Sequence, residues 1–241
     1  MTTVPHDQTR GDSTPFFQDA KPAPLSRNEV AALCMKAARG AGMSWGMAEE
    51  AGFAAAWLAT HGIDGPAHLA AHLTQAQNRA WSELCPNITA GDWSAADGGS
   101  LCPIVLGATL CDHARLSDGP LAGCSITLGT VDYPILLLPF LAEIARINNV
   151  LIAVTGAKGT ACIDASDSWM QTATEVLSDE AADLTLTARD GALKNPPPQV
   201  ARHTKTSADT IAALNAFAMR TTVPASEQSR AGAGSAFSDN D

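Results

Sequence analysis

The chain has 241 residues, of which 46% are apolar and 17% charged, so it can bury a sizeable core and is not a wholly disordered polymer. Its formal charge of −10 repels phosphate backbones, and its Lys and Arg residues are scattered, which argues against nucleic acid and against an anionic membrane surface as partners. The start, Met1 to Lys21, is polar and lacks the apolar stretch of a secretion signal. The longest apolar run, Tyr133 to Leu141, is too short to span a bilayer and carries two prolines, so the expected location is the cytoplasm. None of the six cysteines forms a CxxC pair, and their apolar neighbours predict reduced, buried thiols.

Residues 1–24, with Pro5, Pro15, Pro22 and Pro24 among polar neighbours, read as a flexible leader. Residues 25–222 read as a single globular domain, and 223–241 as a Gly/Ser/Asp-rich C-terminal segment. Ser26-Arg27-Asn28-Glu29 has the spacing of a capping box, and Val30, Leu33, Cys34, Ala37, Ala38 and Ala41 continue it with helical periodicity. Gly42 sits where a left-handed residue would end this helix. Ser44 is placed to cap a second helix reaching about His61, with Met47, Ala51, Ala54, Trp57 and Leu58 as its buried stripe. After a turn at Gly62–Pro66, a third helix is predicted from about Ala67 to Trp81, and residues 85–100 read as a loop.

Beyond the loop the pattern turns strand-like. Leu101–Leu110 is a continuous apolar run, and Cys124–Leu128 alternates with period two. Val150–Thr155, Thr160–Ala165 and Leu184–Ala188 read as further strands. Between them Pro134–Asn148, which Pro139 would kink, and Trp169–Leu177 read as helices. After Pro196-Pro197-Pro198, Ser207 can cap a last helix to Arg220. The expected architecture is α/β or α+β, with an N-terminal helical hairpin and a third helix packed on a mixed-sheet body.

Several constellations carry potential chemistry. His68 and His72 stand four apart on the third helix, as in zinc-binding helices, but Leu69 occupies the place of an HExxH glutamate and a third ligand would have to come from His61, Asp64 or the Cys111-Asp112-His113 triplet, so no metal is assigned. Cys111-Asp112-His113 would end a strand with Cys111 and His113 on one face, without the local signature of a cysteine hydrolase. Thr155–Thr160 is rich in Gly, Lys and hydroxyls, yet lacks Walker order and reads better as a hairpin turn. Gly46 and Gly52, each costly inside a helix, suggest close approach of another backbone or a ligand.

The Ser44–Gly65 stretch and the segment from Pro224 to Asp241 together suggest a site for a small anionic, carboxylate-bearing metabolite. In that reading Glu49 or Glu50 is an acid or base and His61 assists. Trp45, Asp64, Ser226, Ser229 and Arg230 line the ligand, with Arg230 clamping its carboxylate. The segment 223–241 would then fold back onto Ser44–Gly65, pairing Arg230 with Glu49, Glu50 or Asp64. The alternative is an accessory protein with no chemistry of its own, docking a metabolic enzyme or a second copy through Trp45 or Trp57. No cofactor is assigned.

Leu25–Val30, Ala37–Gly46, Ala48–Gly52 and the ending from Val223 to Asp241 resemble an uncharacterised bacterial family catalogued as domain of unknown function 3726. The resemblance implies a cytoplasmic protein without an assigned activity and brings no catalytic residues. The first two helices are also faintly similar to the N-terminal helices of the malate/L-lactate dehydrogenase family that lacks a Rossmann domain. His61-Gly62-Ile63-Asp64-Gly65 lacks that family's Ser-His-Gly after the aspartate, so its activity is not carried over.

Overall fold

The computed structural model describes residues 24–163, 169–191 and 205–221. Among these residues, seven α-helices and four strands are laid out in an α+β arrangement. The order is α1 (Arg27–Gly40), α2 (Trp45–Thr60), α3 (Gly65–Gln75), α4 (Pro103–Asp112), β1 (Ser125–Asp132), α5 (Leu138–Asn148), β2 (Val150–Gly156), β3 (Gly159–Ile163), α6 (Trp169–Val176), β4 (Ala181–Asp190) and α7 (Ala208–Ala218). Among these residues no helix is long and apolar enough to cross a membrane.

The capping box forms as the spacing predicts. Ser26 Oγ accepts from the Glu29 amide and Glu29 Oε2 accepts from the Ser26 amide at 2.8 Å. Gly42 takes φ +99°, and Ser44 caps α2. α2 is buried more broadly than its predicted stripe: Ala48, Gly52, Ala55, Ala56 and Ala59 are covered as well. It lies against α1, where a Cβ on Gly52 would come within 2.6 Å of the Ala31 carbonyl oxygen. Gly46 has no neighbour that close, so only one of the two helical glycines answers to close approach.

The third helix stops at Gln75, short of Trp81. Asn78 turns left-handed (φ 66°), and a 3-10 turn at Trp81–Leu84 follows, from which Trp81 Nε1 donates to the Ala41 carbonyl at 3.2 Å. The larger correction falls on Leu101–Leu110, which is not a strand: Pro103–Asp112 is helix α4. Pro103 sits in its first turn, where the fixed φ favours a helix and no amide is missed. Neighbours cover several sides, burying Ile104, Leu106, Gly107, Ala108 and Leu110, so no polar stripe was left to show a helical period. Pro139 likewise lies in the first turn of α5, after a 3-10 turn at Pro134–Leu137, and does not interrupt it.

The sheet runs β1-β4-β2-β3 with every ladder antiparallel, so the body is not a mixed sheet. Its parallel contacts are isolated bridges, Asp92 to Thr127 and Leu101 to Val131, by which the 85–102 segment runs beside β1. β2 and β3 join through the hairpin Gly156–Gly159, whose Lys158 is tied to Ser178 and Asp179. α5 and α6 pack on β2 and β3, and α7 packs on α1 and α3. Residues 1–23, 164–165, the proline run and the 223–241 segment lie outside the described residues, and with them the expected docking of that segment.

Candidate functional site

Two polar or charged residues are fully buried among those described, His72 and Asp132, and the fold brings them to one seam. α3 is started by Asp64, whose carboxylate accepts from the Ala67 amide at 3.2 Å, and seated by Gly65, where a Cβ would lie 2.3 Å from the Ala55 carbonyl oxygen. This placement turns His72 inward. Its Nε2 lies 3.1 Å from Cys102 Sγ, Trp81 and Tyr133 flank the ring, and Nδ1 has no hydrogen-bond partner. Burial, with help from Arg79, pulls the His72 imidazole down to about 4, and burial pushes the Cys102 thiol up to about 12. At neutral pH the pair is therefore an uncharged thiol beside an uncharged imidazole, not a thiolate nucleophile.

Asp132 ends β1, one per cent exposed, and accepts from three side chains: Ser100 Oγ at 2.8 Å, Gln75 Nε2 at 3.1 Å and Arg79 Nη1 at 3.4 Å. Arg79 also donates to Ser100 Oγ at 2.9 Å, so strand end, helix end and loop are joined in one network. A carboxylate removed from water is tolerated only with such donors. The next residue, Tyr133, is left-handed at φ 43°, ψ 58°, with its amide donating to the Glu180 carbonyl at 2.7 Å. A bulky residue in that region is a strained backbone position of the kind that collects at functional sites. Outside this network a cleft of about 490 Å³ opens between α3, α7 and Tyr133, bordered by Thr74, Gln75, Asp209 and Thr210.

The residues singled out from the sequence fall elsewhere. Trp45, Glu49 and Glu50 stand at the start of α2, whereas His61 and Asp64 follow its end; a rise of eleven residue steps separates Glu50 from His61 by about 16 Å. They do not share one reaction centre. Glu49 is exposed. Glu50 is half-buried near Asp112, and burial, then Asp112 and Glu49, raises its carboxyl above the usual range. Trp45 is 65% exposed, with the Arg39 guanidinium 4.7 Å over its ring. His61 stacks on Trp57 at 3.8 Å and donates from Nδ1 to the Trp57 carbonyl at 2.7 Å. Burial lowers its pKa, leaving neutral imidazole whose Nε2 is enclosed without a partner. Ser226, Ser229 and Arg230 lie outside the described residues.

Cys111-Asp112-His113 closes a helix rather than a strand. Cys111 and His113 thus point different ways, Cys111 toward the Phe140 carbonyl and His113 toward Asp118 at 3.2 Å. With His72 turned to Cys102, the His68/His72 spacing gathers no metal-sized cluster of His, Cys, Asp or Glu among the described residues. All six cysteines are free, but only Cys34 and Cys102 are fully buried and Cys162 is exposed, which corrects the reading of uniformly buried thiols. The residues that sequence reasoning passed over are Gln75, Arg79, Ser100, Cys102, Asp132 and Tyr133. The available signal was a lone carboxylate, Asp132, set between Val131 and the apolar run from Tyr133 to Leu141.

Residues 25–102 match the family model described as protein of unknown function (DUF3726). The match spans α1 to α3 and ends at Cys102, so it holds His72, Gln75, Arg79, Ser100 and Cys102 but not Asp132 or Tyr133. No curated protein and no solved structure gives a significant match.

Proposed function

We propose that this protein binds a small polar metabolite in the cleft between α3, α7 and Tyr133. The observation that carries the reading is Gln75, which borders the cleft and at the same time donates Nε2 to the buried Asp132. That bond fixes the amide so that its carbonyl oxygen remains the free acceptor. The Thr74 and Thr210 hydroxyls and the Asp209 carboxylate add acceptors to a lining otherwise made by Ala70, Ala71, Ala213 and the Tyr133 ring, with no cationic side chain among the described lining residues. Such a border suits neutral or cationic molecules, amines above all. The carboxylate-bearing ligand expected from Arg230 draws on a residue outside the described part of the chain.

A thermal-shift screen of amines, amides, polyols and carboxylates tests this, run beside Ala213→Trp, which fills the cleft. Amines or neutral polar compounds raise the melting temperature of the native chain and lose that effect in Ala213→Trp. Stabilisation by carboxylates alone, or an effect that survives the bulky residue, defeats the proposal. A second reading, an accessory protein docking a metabolic enzyme, is favoured by the exposed Trp45. Its test is whether Trp45→Ala releases a partner that co-purifies with the native chain.

A further inference from the structure

We propose that Cys85 and Cys102 are a redox pair that closes into a disulfide under peroxide, with His72 as its proton carrier. The Cys102 amide donates to the carbonyl of Leu84, the residue before Cys85, at 2.9 Å. A bond of that length holds the α-carbons of residues 85 and 102 about 4–6.5 Å apart, within the span of about 4.4–6.8 Å that a disulfide needs. The thiols are also near enough for Cys85 to act electrostatically on Cys102, and Trp81 and His72 lie beside them. Cys85 Sγ donates to the Trp81 carbonyl at 3.3 Å, the Trp81 ring centre lies 6.4 Å from that of His72, and His72 Nε2 is 3.1 Å from Cys102 Sγ. Pro86, following Cys85, has no amide with which to extend the contact into a ladder, so the two cysteines are held by a single backbone bond rather than a rigid pair of strands.

Access separates their roles. Cys85 is half-buried and within reach of a small oxidant, while Cys102 is fully enclosed. Cys85 Sγ attacks a peroxide oxygen; the S–O bond forms, the O–O bond breaks, and the peroxide's other oxygen leaves as water with the thiol proton. Cys102 Sγ then attacks the Cys85 sulfenic sulfur as its proton passes to His72 Nε2. The S–S bond forms, the S–O bond breaks, and the departing hydroxide takes that proton to leave as water. Two thiols give up two electrons and two protons, and one peroxide becomes two waters. Burial raises both thiols above their ordinary value, so the reaction speeds up with pH.

The experiment uses the full chain carrying Cys162→Ser, which removes the exposed cysteine, treated with hydrogen peroxide under native conditions. No Lys or Arg lies between the two cysteines, so a protease cutting at Asp92 is needed to separate them before mass spectrometry without reduction. The expected product is a Cys85–Cys102 linked peptide pair, absent after Cys85→Ser. In Cys102→Ala, a dimedone-trapped Cys85 sulfenic acid accumulates instead, and His72→Gln prolongs the life of that sulfenic acid in the presence of Cys102. Should Cys102→Ala fail to fold, the Cys85→Ser and His72→Gln arms decide alone. An unmodified Cys85, a sulfenic acid that never resolves to Cys102, or a disulfide to another cysteine overturns the proposal.

Discussion

Where α1 meets α2 and α7, contact is made largely by methyl groups and bare backbone; where α3 meets the end of β1, it is made by hydrogen bonds. In the first region Ala37, Ala38, Ala48, Ala51 and Ala55 are buried, and glycines let carbonyls touch the facing helix. In the second, an aspartate and a histidine are buried with their partners in place of apolar side chains. The first arrangement needs only small residues at the right spacing. The second holds polar groups that must all find partners, so its geometry is fixed by hydrogen bonds rather than by shape alone.

The largest effect is expected on the methyl-and-backbone side. A Cβ at Gly40 would lie 1.7 Å from the Phe217 carbonyl oxygen, a backbone atom that cannot swing away. Gly40→Ala should therefore cost about 3 kcal/mol or more, lowering the melting temperature by about 6–12 °C in calorimetry. On the polar side, Asp132→Ala strips the acceptor from Gln75, Ser100 and Arg79. Unfolding in urea should show a loss of about 2–4 kcal/mol, discounted because Arg79 is partly exposed and regains water. A loss as small as that of an ordinary surface change would erase the contrast between the regions.

The seam also has a pH signature of its own, carried by His72. His72 titrates at about 4 when folded against an ordinary 6.5, so between those values the unfolded chain binds the extra proton. Its contribution is present in full above pH 6.5 and is lost as pH falls toward 4, about 3 kcal/mol in all. His61 and His68, also lowered by burial, act in the same direction. Glu29, Asp92 and Glu143, held below their ordinary range by hydrogen bonds, lose their part only at lower pH. Urea titrations at pH 7 and pH 5 should show about 2 kcal/mol of this loss in the native chain and most of that gone in His72→Gln. The smallest effect is a gain: Gly46 has open space around it, so Gly46→Ala should stabilise α2 by less than about 1 kcal/mol.

Legibility followed the same division. The capping box at Ser26, the caps at Gly42 and Ser44, and the alternation of Cys124–Leu128 were readable because each is a local pattern with one physical cause. α4 was not, since a segment covered on several sides shows no period, and the sequence alone does not separate a buried helix from a buried strand. The seam was harder still. Gln75, Ser100 and Asp132 lie far apart along the chain and meet only through the course of β1 beside the 85–102 segment. Clustering by proximity in sequence gathered Glu49, Glu50, His61 and Asp64 instead, and the length of α2 keeps its two ends apart.

The contact between Gly40 and the Phe217 carbonyl joins the first described helix, α1, to the last, α7. During synthesis the ribosome releases α1 and α2 long before α7 exists, so the face of α1 that α7 covers must wait, uncovered by it, until Ala208–Ala218 has emerged. The entropy of closing so long a loop grows only logarithmically with its length, but the delay grows with every residue translated. A fragment ending at Cys102, where the family match stops, would meet that exposure permanently, and its natural refuge would be a second fragment or a chaperone.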